Sequence, residues 1–247
     1  EMFIYIVLII YFRMKDFYKN KIAINFTIFL LFLVALMPMV HAQIPSTLGW
    51  HQIPNTKIRS VCPPDTSSYD YTFYCDNVVG AWSGGIADTT RNRMIIWGGG
   101  HGDYRGNEVY ELDLDTLTMK RLNNPSPNSD SYSVFPAADD GAANSRHTYN
   151  GLAYIANADK MYVFGGSLWR GGQTASDTWT LNLANLQWQR MDPAGGTSPT
   201  DRYNSQADYD PNTKKVFVHD RKALYSYDYE SNQYTVLRSD HSFPLAS

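Results

Sequence analysis

Three stretches of this chain repeat one pattern, and the repetition limits the fold more than any other feature. Each copy has an apolar strand that closes on an aromatic residue and two glycines or their remnant. A loop of variable length follows, then an aromatic-led strand alternating in period 2, then a further aromatic or methionine. The first copy runs Met94-Ile95-Ile96-Trp97-Gly98-Gly99, then Val109-Tyr110-Glu111-Leu112-Asp113-Leu114, then Met119. The second runs Met161-Tyr162-Val163-Phe164-Gly165-Gly166, then Thr178-Trp179-Thr180-Leu181-Asn182-Leu183, then Trp188. The third keeps the strands without the glycines: Val216-Phe217-Val218-His219-Asp220, then Leu224-Tyr225-Ser226-Tyr227-Asp228-Tyr229, then Tyr234.

The copies begin 67 and 55 residues apart, close to the roughly 50-residue period of kelch repeats. Aligned this way, Tyr110, Trp179 and Tyr225 coincide, as do Met119, Trp188 and Tyr234. A chain leaving a strand for a loop often needs positive φ, which glycine adopts without a Cβ clash. No helical period appears after residue 42, so the chain reads as all-β.

On these motifs the chain resembles the kelch-repeat family and, more broadly, the galactose oxidase-like propeller superfamily, over about residues 77 to 240. The resemblance implies a kelch-type β-propeller with blades at 77–122, 146–191 and 202–240. The stretch from Val78 to Gly85 reads as the innermost strand of the first blade. Three blades fall short of the 4 to 8 of a closed propeller, so the expectation is an N-terminal part of a six- or seven-bladed ring. Assembly of short chains into a ring is the alternative.

Residues 1–13 read as upstream translation and residues 14–42 as a signal peptide. Its parts are a basic start (Lys15, Lys19, Lys21), an apolar core from about Phe26 to Met37 and the small-residue site Val40-His41-Ala42. The mature chain then begins at Gln43, in the periplasm or outside the cell. An uncleaved signal anchor over Ile22 to Val40 is the rival, and the one route to a membrane. Without residues 1–42 the chain has 17 basic and 22 acidic residues, a formal charge of −5. No basic excess points to nucleic acid.

Residues 43–76, rich in Pro, Ser, Thr and Asp, form an N-terminal lead segment. Cys62 and Cys75, the only cysteines, lie there, and export permits them to pair. No cysteine falls in the repeats, which leaves no thiolate nucleophile or cysteine-rich zinc site among them. No metal or other cofactor is expected. The copper radical oxidases that resemble galactose oxidase use a cysteine cross-linked to tyrosine, and the repeats here lack one. Asp103, Glu108, Asp113 and Asp115 lack the glycine-spaced oxygen ligands of a calcium loop, and solvated strand faces account for them.

Strands within a blade alternate direction, so the loop after the second strand and the linker between blades emerge on one face. That face gathers His101, Asp103, Tyr104 and Arg105 from the first loop, and Trp169 and Arg170 from the second. The linker ends add Arg146, His147 and Tyr149, then Arg202 and Tyr203. Arginine offers a bidentate fork to a carboxylate or sulfate, and Trp and Tyr stack on sugar faces. The expected partner is therefore an extracytoplasmic glycan or protein, bound by a recognition module.

A lyase acting on uronate-containing polysaccharide is the enzymatic alternative. It needs a neutraliser for the carboxylate, a base for the C5 proton and an acid for the leaving oxygen. His101, His147, Tyr149, Arg202 and Tyr203 are the candidates. Some ulvan-degrading lyases are propellers using His, Tyr and Arg, a resemblance of fold alone. Each candidate also has a structural alternative: Arg146 and Arg202 tying blades together, His101 capping a tight turn, and His219-Asp220-Arg221 replacing the lost glycine turn.

Overall fold

The computed structural model describes residues 46–100, 102, 104–127, 137–169, 172–195, 198–200 and 203–239. The stretch expected to be a signal peptide, 14–42, and the residues before it lie outside the described residues. The architecture is all-β, with four antiparallel sheets, none of them closed. Three are four-stranded meanders. The first holds β1 (Gly84–Asp88), β2 (Arg93–Trp97), β3 (Tyr110–Asp113) and β4 (Thr118–Arg121) in that order. A two-stranded sheet follows, made by β5 (Arg146–His147) and β8 (Ser167–Leu168).

The second meander runs β6 (Leu152–Ile155), β7 (Lys160–Phe164), β9 (Thr178–Asn182) and β10 (Trp188–Met191). The third runs β11 (Gln206–Asp210), β12 (Lys215–His219), β13 (Leu224–Asp228) and β14 (Gln233–Arg238). The first strand begins at Gly84, later than the sequence suggested. Residues Cys75–Val79 instead form a short 3-10 helix, after single turns at Ile58–Val61 and Tyr71–Tyr74.

Turn chemistry repeats with the strands. After β3, β9 and β13 an Asx side chain closes the turn: Asp113 accepts from the Thr116 amide at 3.0 Å, Asn182 from Ala184 at 2.9 Å and Asp228 from Ser231 at 3.1 Å. Such side chains mimic the backbone acceptor of a turn. In each case the turn also holds a left-handed residue one or two positions before the next strand: Leu117 at φ 52°, Leu186 at 58° and Asn232 at 50°. The aligned aromatics keep register as well. Leu112 pairs with Met119, Leu181 with Trp188 and Tyr227 with Tyr234.

Each sheet turns its β3-, β9- or β13-type aromatics toward what precedes it. Tyr110, Leu112 and Met119 pack on Ile58, Tyr71, Cys75 and Val78 of the lead segment. Trp179 and Leu181 pack on Ile86, Ile95 and Trp97 of the first sheet. Tyr225, Tyr227 and Tyr234 pack on Tyr162 and Phe164 of the second. The second sheet is covered on both faces, so β6 and most of β7 are buried continuously and read as apolar runs. Cys62 and Cys75 form a disulfide with their Cα atoms 5.9 Å apart, tying the lead segment together.

The joint between the first two sheets also carries buried charge. Asp88 is fully buried, and Arg93 and Arg91 donate to it at 2.7 and 2.9 Å. Burial alone pushes its carboxyl up, but the hydrogen bonds from Arg93 and Arg91 hold it below the ordinary range. Arg93 continues to Glu111, and Arg91 to Asp159 across the joint at 2.6 Å. Among the described residues, no helix is long and apolar enough to cross a membrane.

Candidate functional site

The loop after the second strand and the end of the following linker do come together. The Gly99 amide donates to the Arg146 carbonyl at 2.7 Å, and Trp169 donates to Ser145 at 2.9 Å. β5 pairs with β8, Arg146 opposite Leu168 and His147 opposite Ser167. Glycine is required where these segments touch. Gly98 sits at φ +128°, and a Cβ there would stand 2.9 Å from the Arg146 carbonyl oxygen. In the third sheet, which has lost the glycines, the buried Asp220 carboxylate builds the turn by accepting from the Lys222 and Ala223 amides at 3.0 and 2.8 Å.

Alternation along β5 separates its two side chains. Arg146 points inward and is fully buried. Its guanidinium forks onto the Asp177 carboxylate at 2.8 and 3.1 Å and donates to the carbonyls of Gly165 at 3.0 Å and Asn144 at 3.1 Å. It also lies over the Trp97 ring, 6.0 Å from the centroid. Those contacts make it a strut of the wall. Tyr104, Arg105 and Trp169 are buried as well. The Tyr104 hydroxyl donates to Glu108 at 2.6 Å, and the Arg105 guanidinium covers Tyr69. His101, Asp103, Arg170 and Arg202 lie outside the described residues.

His147, half-buried, instead joins a row of rings. Its imidazole centre lies 5.1 Å from the Trp82 ring and 6.1 Å from Tyr149, the latter edge to face. Tyr149 in turn stands 6.4 Å from Tyr203. The ends of the row are open, Trp82 being 47% and Tyr203 49% exposed. Beside the row, β1, β6 and β11 lie next to one another. They border a groove of about 700 Å³ lined by Asn150, Gln206, Asp208 and His219 among others. The Asn150 amide donates to the Gln206 side-chain carbonyl at 3.0 Å across it.

Sequence reasoning passed over Trp82, and the backbone shows why it belongs. Gly84 pairs with Trp97, and Gln206 with His219, while Phe164 donates to Gly151. Counting two residues back from each leading position gives Trp82, Tyr149 and Asn204. All three have positive φ: 61°, 49° and 65°. The chain bends there as it leaves a loop for a leading strand, and the Tyr149 amide donates to the Trp82 carbonyl at 2.8 Å, locking two bends together. The fit is close, since a Cβ on Gly84 would stand 2.4 Å from the Tyr149 carbonyl oxygen. Asparagine enters this region with local side-chain help, whereas an aromatic residue pays about 1–2 kcal/mol.

Glu108 differs from the expectation of a solvated strand face. It is 1% exposed, with the hydroxyls of both Tyr104 and Tyr110 donating to Oε1. Burial pushes its carboxyl up despite those two hydrogen bonds. Its place between the lead segment and the first sheet makes it part of a joint. Asp113 does lie nearer the surface, and the Lys120 ammonium beside it holds its carboxyl down at about 2. Among the described residues, no group of three or more His, Cys, Asp and Glu side chains is placed to hold a metal ion.

The row therefore brings ring faces, an imidazole and two phenols together in one partly exposed line, whose open ends are able to stack on a ligand and exchange hydrogen bonds with it. Comparison with protein families and with curated proteins found no match to this chain.

Proposed function

We propose that the chain is part of an exported kelch-type β-propeller of the galactose oxidase-like kind, and that it binds a glycan or protein ligand at its loop-bearing face. The blade reading is supported by three meanders that repeat strand register, Asx turns and left-handed positions, with their leading strands side by side. Export is supported by the basic, apolar and small-residue order of residues 14–42 and is consistent with the Cys62–Cys75 disulfide. The observation that carries the binding reading is the half-open row Trp82, His147, Tyr149 and Tyr203.

A second reading is polysaccharide cleavage. The closeness of His147 and Tyr149 favours it, because eliminating across a uronate needs a base and an acid at one opening. One experiment separates the two. The protein is incubated with acidic polysaccharides while the ultraviolet absorbance of unsaturated uronates is followed, and binding is measured in parallel. Binding without new absorbance, weakened in His147→Ala, is the expected outcome. A rise in absorbance that disappears in His147→Ala makes the protein a lyase. Failure to bind any polysaccharide or exported protein rejects the ligand reading.

A further inference from the structure

We infer that a second ligand site lies where the β9–β10 turn meets the linker between the first two sheets: an amide-rich pocket for an uncharged saccharide unit. It is separate from the row of rings, and its failure would leave the reading of the loop face untouched.

The pocket has a volume of about 440 Å³, within the range of small-ligand sites. Three segments wall it: Asn123 to Ser126 just after β4, residues 140–142 later in the linker, and residues 185–188 at the entry to β10. One buried side chain draws the two linker segments together. The Asn107 amide donates to Ser126 Oγ at 2.8 Å and to the Ala143 carbonyl at 3.0 Å, and its oxygen accepts from the Ser126 amide at 2.8 Å. The third wall is fixed by packing. Leu186 and Trp188 lie against the core of the joint, and the Trp188 ring stands 4.7 Å from Trp97.

Holding this shape uses only part of what the lining residues carry. The Asn123 oxygen accepts from the Val109 amide at 2.7 Å, that of Asn124 from the Arg121 guanidinium at 2.7 Å and that of Asn185 from the Gln187 amide at 3.1 Å. The NH2 groups of these three, and the whole side-chain amide of Gln187, have no partner among the described residues. Asp140 commits one oxygen to the Ala142 amide at 3.0 Å and keeps the other. Turn chemistry accounts for each committed oxygen. It does not account for spare donors from separate segments gathering at one pocket.

The lining also selects the ligand. No Lys, Arg or His is among the residues described there, so an anion meets no cation. Seven of the eleven lining residues carry an amide, hydroxyl or carboxylate, and an apolar ligand would strand them. The turn bearing Asn185 and Gln187 has no charged residue, whereas its equivalents carry Asp113 and Asp115, or Asp228 and Glu230. A saccharide unit matches this set. Its hydroxyls accept from the amides and donate to Asp140, and its C–H face suits the partly buried Trp188 ring. An extended peptide draws instead on a sheet edge or a long groove.

The test uses Asn124→Asp, Asn185→Asp and Gln187→Ala in the full chain. The two aspartates keep the committed oxygen and remove the NH2 donor. Calorimetry measures binding to neutral tetrasaccharides of glucose, galactose, mannose and xylose, with tetragalacturonate as the charged control, and circular dichroism follows thermal unfolding. The wild type is expected to bind one or more of the neutral sugars. Each variant is expected to bind it about three- to tenfold more weakly, with Tm unchanged within about 2 °C.

A wild type that binds none of the neutral sugars overturns the inference. Full affinity in all three variants also overturns it, since the sugar then sits elsewhere. Equal affinity for tetragalacturonate, weakened by the same variants, overturns the neutral class of the ligand. If the aspartate variants lose more than about 4 °C in Tm, Gln187→Ala decides alone, and undiminished affinity in it overturns the inference.

Discussion

Trp97 and Phe164 close the second strands of successive sheets at the same register position, and both side chains are completely buried against the sheet that follows. The Trp97 indole also donates to the Asn107 carbonyl at 2.9 Å. Truncating either residue to alanine empties a close-packed joint, so each variant is expected to lose about 3 to 5 kcal/mol of stability. Urea unfolding measures this directly. A loss under about 1 kcal/mol in both refutes the equivalence of the two positions.

Arg146 is predicted to act on stability. Arg146→Met leaves the Asp177 carboxylate buried beside the Trp179 indole N–H, without its cation. The expected cost is about 3 to 5 kcal/mol. Arg146→Lys recovers little of it, because one ammonium does not span a carboxylate and two carbonyls as the guanidinium fork does. An unchanged urea midpoint in Arg146→Met, with weaker ligand binding, would show instead that Arg146 faces the ligand.

The Glu108 carboxyl gives stability a pH dependence of definite sign. Its ordinary value is 4.5, and in the folded protein burial raises it. Above 4.5 the unfolded chain gives up this proton while the folded chain holds it, so the unfolded state binds fewer protons and stability falls with rising pH until the folded group ionises too. Below 4.5 the contribution is flat. Glu108→Gln keeps the shape without the charge, so its urea midpoint between pH 5 and 8 is expected to decline less than that of the wild type. Parallel profiles for the two proteins exclude this role.

The Cys62–Cys75 bridge closes a short loop of 13 residues in separation. Loop-closure entropy assigns such a bridge about 3 kcal/mol, and Cys75 is buried among Ile58, Tyr71 and Val78. Mass spectrometry of the non-reduced protein is expected to show one linked pair, with reduction lowering Tm. Free thiols at both positions count against the bridge.

The periodic parts of this molecule were legible in advance because period and composition are local properties. Strands β2, β3, β7, β9, β12 and β13 all lie where the repeat places them, and the pairs built on Met119, Trp188 and Tyr234 follow from that alignment. The substituted turn at Asp220 was equally visible, since an Asx side chain can do by hydrogen bonding what glycine does by conformation. The start of β1 was misplaced because Val78 and Val79 are apolar enough for a strand, yet they sit in a helical turn that packs Val78 on the lead segment.

The candidate site divides along the same line. Which residues reach the loop face follows from strand direction, and so His147, Tyr149 and Tyr203 could be grouped before any contact was known. Burial could not be read that way. Arg146 and His147 are neighbours in sequence, but the pairing of β5 with β8 turns one into the wall and leaves the other half-buried in the row of rings.

By itself the sequence determined an all-β chain with three repeated strand sets, their turns and the face from which the long loops leave, since each of these depends on residues close along the chain. Only the tertiary structure decided that Glu108 is buried, that Arg146 is a strut and that Trp82 stands beside His147. Those outcomes depend on how separate sheets meet, and no single segment carries them. The left-handed bend at Trp82 is the clearest case: nothing local in an aromatic residue calls for it, and the hydrogen bond from Tyr149, 67 positions away, helps hold it there.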